Sequence, residues 1–337
     1  MKVLVTGASG FIGKTFVKTL IQEQPSVEIY CAVRKSSDID ELKSLNFRFV
    51  EFDLTNIDTF SQAVEEMECV IHFAANFNFL ASEDSLFQLN VIATQKLAEA
   101  CLKARVKHFV YCSTTEAMGI VEDGTEESDY NPDELYGRSK MEAEKILIQM
   151  KNQNEFPVTI VRPTGVFGPG DRYVFKEMVE SVDRTIINKV FPTSAKTLLH
   201  FTYIDDVVQG FIKIVQLPEQ TIGEIYILAS DEPQTYRQIF TTIAEKLGRK
   251  KPLFISPFPL LLARPFWPFL FRFYRWRNFG YPYVPNALKK IPTSRNYMNQ
   301  KAKEELGFKP IVDFETGVER TIEWMRGRDM IKTKLKT

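Results

Sequence analysis

The stretch VLVTGASGFIGKTF, residues 3–16, decides how the rest of the chain is read. An apolar run stops at Thr6, and Gly7, Gly10 and Gly13 follow at the mouth of an amphipathic segment, 11–24. A phosphate-binding turn needs this order. One glycine makes the sharp bend, one lets the backbone approach a pyrophosphate, and one packs the helix against the strand. The helix N-terminus then offers unpaired N–H groups and its positive dipole end to the anion. A plain strand-to-helix turn would account for a lone glycine. The strand before, Thr6, and the helix after favour dinucleotide binding, with Phe11 and Ile12 in the same turn.

Beyond this turn the chain repeats one pattern. KVLVTG, VEIYCAVR, FRFVEFDL, CVIHFAA, KHFVYCS and VTIVRP read as strands that barely alternate, as fully buried strands do. Helical periodicity fills 11–24, 57–67, 84–104 and 133–153, and EIYILAS (224–230) adds a later strand. Strand–helix alternation implies right-handed crossovers and a parallel sheet covered on both faces. The expected fold class is therefore α/β, a Rossmann-type doubly wound parallel sheet with a smaller, mostly helical C-terminal substrate domain. Residues 1–170 plus 198–230 are expected to bind the dinucleotide. Residues 171–197 plus 231–330 are expected to bind substrate, and they include an aromatic and proline-rich segment, 252–285.

Composition narrows the function. The 43 basic and 43 acidic residues balance, so no electrostatic footprint for nucleic acid exists. Cys31, Cys69, Cys101 and Cys112 stand singly in apolar stretches, and His72, His108 and His200 lack ligand spacing, so neither disulfides nor a metal site are expected. With a strand starting at Lys2 there is no signal peptide to remove, and the expected location is cytoplasmic. Segment 252–285 is intensely apolar, yet Arg264, Arg272, Arg275, Arg277 and many prolines exclude a clean membrane span of roughly 20 residues. Two readings stand for it: a lid over the substrate pocket, or a peripheral membrane contact with Trp267 and Trp276 in lipid.

The end of the second strand addresses the choice of dinucleotide. An acidic residue there would hold a ribose 2′-hydroxyl and select NAD. The chain has Arg34, Lys35 and Ser36 instead, with no carboxylate before Asp38, which favours NADP over NAD. Asp53, after the third strand, is placed to accept from the adenine amino group.

NPDELYGRSKMEAEK, 131–145, sets Tyr136 and Lys140 one turn apart on one helix face. Asn131 reads as the helix cap, Pro132 as the first helical residue, and Glu134 as the partner in a capping box. In the order TGASGFIG, DLT, HFAA, YCSTTEAMG, YGRSK and RPTGVFGPG, the chain resembles the extended short-chain dehydrogenase/reductase family of epimerase/dehydratase type. The closing QKAKEELGFKPIVDFETGVERTIEWM resembles that family's C-terminal end, so the likeness covers essentially the full chain.

The resemblance implies a catalytic group of Thr114, Tyr136 and Lys140, with Ser113 as neighbour and substitute for Thr114. Tyr136 exchanges a proton with a substrate hydroxyl or ketone. A phenol titrates near ~10, and the Lys140 cation lowers that value. Thr114 orients the substrate oxygen. The resemblance also places Leu54, Ala74, Ala75, Pro163 and Val166 against the cofactor, and Asn76, Glu116 and Arg172 against substrate. Asp206, in HFTYIDDVV, matches a recurring aspartate with a structural role. Thr115–Glu116 replaces the Asp–Glu pair of nucleotide-sugar dehydratases, which argues against dehydration.

The Ser/Thr pair followed by glutamate resembles the 3β-hydroxysteroid dehydrogenase branch, and AVRKSS the dihydroflavonol-reductase-like branch. Both act on hydrophobic alcohols and ketones. A nucleotide-sugar epimerase is the alternative, with Arg172, Arg184 and Lys196 as diphosphate clamps. A non-catalytic NADP-sensing module is the minor one. The family also implies a homodimer.

Overall fold

The computed structural model describes residues 1–43, 45, 47–78, 81–184, 190–192, 196–255 and 294–331, with backbone alone at 184, 190–192 and 255. In chain order the elements run β1 (Lys2–Thr6), α1 (Phe11–Glu23), β2 (Glu28–Val33), α2 (Asp40–Lys43), β3 (Arg48–Glu51), α3 (Asp58–Val64) and β4 (Cys69–His72). Then come α4 (Glu83–Phe87), a π-helical turn (Gln88–Ile92), α5 (Ala93–Lys103), β5 (His108–Cys112), a 3-10 turn (Thr115–Ala117), α6 (Leu135–Asn154) and β6 (Val158–Pro163). The rest comprises β7 (Gly165–Phe167), α7 (Val174–Arg184), β8 (Val190–Pro192), β9 (Leu198–Leu199), β10 (Phe201–Tyr203), α8 (Ile204–Gln216), α9 (Pro218–Thr221), β11 (Ile225–Leu228), β12 (Gln234–Thr235), α10 (Tyr236–Lys246), β13 (Leu253–Ile255), α11 (Gln300–Leu306) and α12 (Phe314–Arg326).

Seven strands form one sheet in the order β11-β6-β5-β4-β1-β2-β3. Every neighbouring pair is parallel, as strand–helix alternation requires. The central strands β4, β5 and β6 are buried along their whole length, which explains why they are mostly apolar and barely alternate, while edge strand β3 is largely exposed. Leu4, Val70, Phe109 and Ile160 of the sheet pack with Phe60 of α3, Leu97 of α5 and Leu147 of α6. Phe16 of α1, Phe73 and Phe211 of α8 make a second, edge-on aromatic group, with centroids 4.8–6.5 Å apart.

By compactness the chain divides into two units. The first, Met1–Phe167 with Phe201–Asp231 and Tyr297–Asp313, holds the sheet. There Asp206 accepts from Ile311 N (2.9 Å) and Val312 N (3.2 Å), the structural role expected of it. The second unit, Gly168–His200 with Glu232–Asn296 and Phe314–Thr337, carries α7, α10, α12 and two small strand pairs, β12–β9 and β13–β8.

Of segment 252–285, residues 256–285 lie outside the described residues, and with them the arginines and tryptophans that carry its lid and membrane readings. Among the described residues no helix is long and apolar enough to cross a membrane, and no group of three or more His, Cys, Asp or Glu could hold a metal ion.

One element starts where the sequence did not place it. The helix carrying Tyr136 begins at Leu135, with Glu134 as N-cap and no side-chain cap bond, so neither an Asn131 cap nor a capping box forms. Long-range packing overrides the local signal. The Asn131 carbonyl closes on Gly119, which keeps 131–132 out of the helix and lets α6 start one turn later.

Candidate active site

Parallel strands put all their carboxyl ends on one edge of the sheet, where such folds bind ligands. The candidate residues collect there. Gly7 follows β1, Arg34 and Lys35 follow β2, Asp53 and Leu54 follow β3, Ala74–Asn76 follow β4, Ser113 and Thr114 follow β5, and Pro163 ends β6. Val166 lies just beyond, on β7, half-buried and paired with Thr202 of β10. Arg172 belongs to the second unit and is exposed, as is Lys196.

The glycine turn is built for close backbone approach. Gly7 has φ +68°, and the Gly10 N–H donates to its carbonyl at 2.8 Å. A Cβ on Gly13 would lie 2.3 Å from Gly7 O, so only glycine lets α1 press onto the turn. The N-cap of α1 is Gly10, without a side-chain cap bond, and no acidic residue sits in the first turn. The first N–H groups of the helix are therefore left for an external acceptor. This cradle fits a dinucleotide's pyrophosphate: Gly10, Phe11, Ile12 and Gly13 would hold it.

Behind the turn, Thr6 Oγ1 accepts from Ala74 N (3.2 Å) and shares a hydrogen bond with His72 Nδ1 (2.7 Å), and His72 Nε2 shares another with Thr94 Oγ1 (3.1 Å). Burial keeps His72 neutral, its pKa pushed down to about 3. After β2, Lys35 pairs with Glu51 at 3.2 Å in solvent, while the backbone of Arg34 is bracketed by Ser37. Asp53 Oδ1 accepts from Thr55 N and Oγ1, fixing the turn after β3.

Tyr136 and Lys140 follow each other by one turn on α6. The Tyr136 ring is 7% exposed and stands edge-on to Phe77, centroids 4.8 Å apart. Lys140 is buried, donates to Cys112 O at 2.6 Å, and lies 4.2 Å from the Tyr111 ring centroid. Burial pushes its pKa down to about 8, with the neighbouring Glu144 carboxylate and Cys112 acting against that shift. This holds the tyrosine-bearing helix against the end of β5.

The two hydroxyls of Ser113-Thr114 differ. Ser113 donates to the buried carboxylate of Glu144, whereas Thr114 Oγ1 accepts from Glu116 N at 3.2 Å and caps the 3-10 turn. The Glu116 carbonyl in turn faces Gly137: a Cβ there would lie 2.3 Å from it. Asn76 is tied up locally, its N–H donating to Asn90 Oδ1 and its Nδ2 to Ser85 Oγ.

Sequence reasoning passed over several residues here. Asn90, inside the π-helical turn, donates to Asn76 O and Ser139 Oγ, and Ser139 donates to Tyr136 O at 2.7 Å. Nothing in a single sequence marks a π turn. Glu144 was legible, since it continues the Tyr136–Lys140 face by one more turn. So was Arg162, a lone charge in the wholly buried strand VTIVRP that demands a partner.

The NAD dependent epimerase/dehydratase family model matches residues 3–229. The 3beta-hydroxysteroid-dehydrogenase/decarboxylase isoform 2 of Arabidopsis thaliana is 24% identical over 355 residues; the match takes in 95% of this chain, which spans only 61% of the plant protein. The sterol-4-alpha-carboxylate 3-dehydrogenase, decarboxylating, of Candida albicans is 26% identical over 348 residues, covering 96% of this chain and 97% of that protein. A UDP-glucuronic acid 4-epimerase from Bacillus cereus, solved in complex with NAD, superposes with a TM-score of 0.77 over 97% of each chain at 21% identity, a likeness of fold. Matched by its pattern over more than half its length, the chain belongs to the NAD dependent epimerase/dehydratase family and is an NAD(P)-dependent enzyme.

Proposed function

We propose that the chain is an NADP-dependent dehydrogenase or reductase acting on a hydroxyl or ketone of a hydrophobic, sterol-like substrate. The observation that carries this reading is the assembly, at one sheet edge, of an uncapped glycine turn, the Thr114 hydroxyl, and Tyr136 with Lys140 one turn behind it. A bound nicotinamide would supply or accept the hydride.

The chain's own residues do the rest. Tyr136 passes a proton to, or takes one from, the substrate oxygen. Thr114 donates the hydroxyl hydrogen that orients that oxygen; its own oxygen already accepts from Glu116 N. Lys140 places a cation behind the phenol, held by Cys112 O, and would also reach the nicotinamide ribose. Arg34 offers its guanidinium to a 2′-phosphate, which favours NADP; Lys35 would first have to leave Glu51. Leu54, Ala74, Ala75, Pro163 and Val166 would line the cofactor, and the second unit would hold substrate.

The sterol relatives and the Ser/Thr pair followed by Glu116 support the hydrophobic substrate. Arg172 and Lys196, both exposed on the second unit, support the nucleotide-sugar epimerase reading instead. The lid or membrane role of 252–285 and a homodimer complete the proposal.

The test incubates the protein with sterol, flavonol-like and nucleotide-sugar panels, each with NADP(H) and NAD(H), and follows reduced-nicotinamide absorbance. Net turnover on a hydrophobic alcohol or ketone with NADP is expected. Sugar epimerisation without net absorbance change would replace this reading by the alternative. Tyr136→Phe should lower kcat by about 1,000-fold or more, general acid–base catalysis and orientation together, while the dinucleotide still binds.

A further inference from the structure

The most completely buried ion pair among the described residues has been given no chemical role so far. Glu144 and Arg162 are 0% and 1% exposed, and Arg162 Nη2 reaches Glu144 Oε2 at 2.7 Å. Arg162 Nε donates to both carboxylate oxygens at 3.1 and 3.2 Å. Tyr130 Oη donates to Oε2 at 2.7 Å, and the Ser113 hydroxyl to Oε1. The other end of the guanidinium donates to Glu126 O (3.0 Å) and contacts Met118 Sδ (3.2 Å), with the Tyr130 ring 5.1 Å away.

The network therefore joins α6, the end of β5, the exit of the 3-10 turn, β6 and the 126–130 loop. Apolar residues of similar volume would hold such a core at least as firmly as two buried charges, so stability alone is a poor account of the pair. Its placement supplies another. Tyr136, Lys140 and Glu144 occupy successive turns of one face of α6. Ser113, which Glu144 holds, directly precedes Thr114.

We propose that Glu144 is a positioning residue: by binding the Ser113 hydroxyl it locks the strand end that presents Thr114 to the helix that presents Tyr136 and Lys140, and Arg162 and Tyr130 lock Glu144 in turn. The inference rests on the function proposed above and deepens it. It also divides the Ser113-Thr114 pair. The one hydroxyl hydrogen of Ser113 is committed to a carboxylate, so Thr114 alone donates to the substrate oxygen.

The test uses the full chain carrying Ser113→Ala or Tyr130→Phe, each of which deletes one hydrogen bond to Glu144 and leaves the ion pair intact, beside Tyr136→Phe. Two quantities are read: kcat per dinucleotide-binding site, and amide hydrogen exchange over residues 114–118. Ser113→Ala is expected to lower kcat per site by about 10- to 100-fold, the scale of a small misplacement, at unchanged KM and dinucleotide affinity. Exchange over 114–118 should quicken by more than about tenfold while α5 stays protected. Tyr130→Phe should show the same pattern more weakly. A Ser113→Ala protein that melts earlier but keeps both wild-type kcat per site and wild-type exchange over 114–118 overturns the positioning role. Retained turnover in Tyr136→Phe would instead overturn the underlying function. The exchange measurement decides the inference even where no substrate has been found.

Discussion

Two helix starts in this molecule are built alike and read very differently. Both α1 and α6 begin without a side-chain cap, at Gly10 and Glu134, and neither has an acidic residue in its first turn. Each has glycine as its third residue, and in each a Cβ there would lie 2.3 Å from a backbone carbonyl, Gly7 O for Gly13 and Glu116 O for Gly137. They differ in where the carbonyl comes from. Gly7 lies in the turn that opens α1, whereas Glu116 lies on the far side of a long connection, after β5. A helix start fixed by its own turn leaves a motif in the sequence. One fixed by a distant backbone leaves only an unexplained glycine.

The strongest way to break the parallel is to fill both gaps. In Gly13→Ala the helix must withdraw from the turn that would hold the pyrophosphate. Losing two charge-assisted hydrogen bonds of about 1.5–3 kcal/mol each should lower dinucleotide affinity by roughly 100-fold or more, measured by calorimetry. In Gly137→Ala the same clash separates α6 from the 3-10 turn, and therefore Tyr136 from Thr114. The expected signature is the converse: affinity within about threefold of wild type, stability lower by about 1–3 kcal/mol in denaturant titration, and kcat per site down about 10- to 100-fold. If Gly137→Ala impaired dinucleotide binding as much as Gly13→Ala, the two starts would not serve separate tasks.

The same distinction sorts what could be read in advance. The seven-stranded sheet was legible because every strand is a short apolar run bounded by helices, a pattern that local periodicity reports. The glycine turn, Tyr136 and Lys140 were legible because their spacing lies within single elements. The Asn131–Glu134 cap signal was misleading because the Asn131 carbonyl is used against Gly119. Nor could spacing say that Ser113 binds Glu144 or that Asn90 reaches Ser139, since those pairs join residues remote in sequence. Arg162 and Glu144 sit between the two cases: each is conspicuous alone, and only the fold shows that they answer one another.

The smallest expected effect sharpens the comparison most cleanly. Glu134 has the extended backbone of an N-cap, φ −127° and ψ 152°, and its carbonyl already accepts from Arg138 N at 2.9 Å. Glu134→Ser would add a short hydroxyl in reach of the second and third helical N–H groups, worth about 0.5–1 kcal/mol. If the first turn of α1 is kept uncapped for an anion while that of α6 is merely left so, this substitution should raise stability by at most that amount, since the Glu134 carboxylate's own contacts are lost with it, and leave kcat and KM within about twofold. Denaturation midpoints and steady-state rates on the same protein decide it. A stabilised but slowed enzyme would mean that the open N–H groups of α6 also face the reacting molecule, and the two helix starts would then share one function.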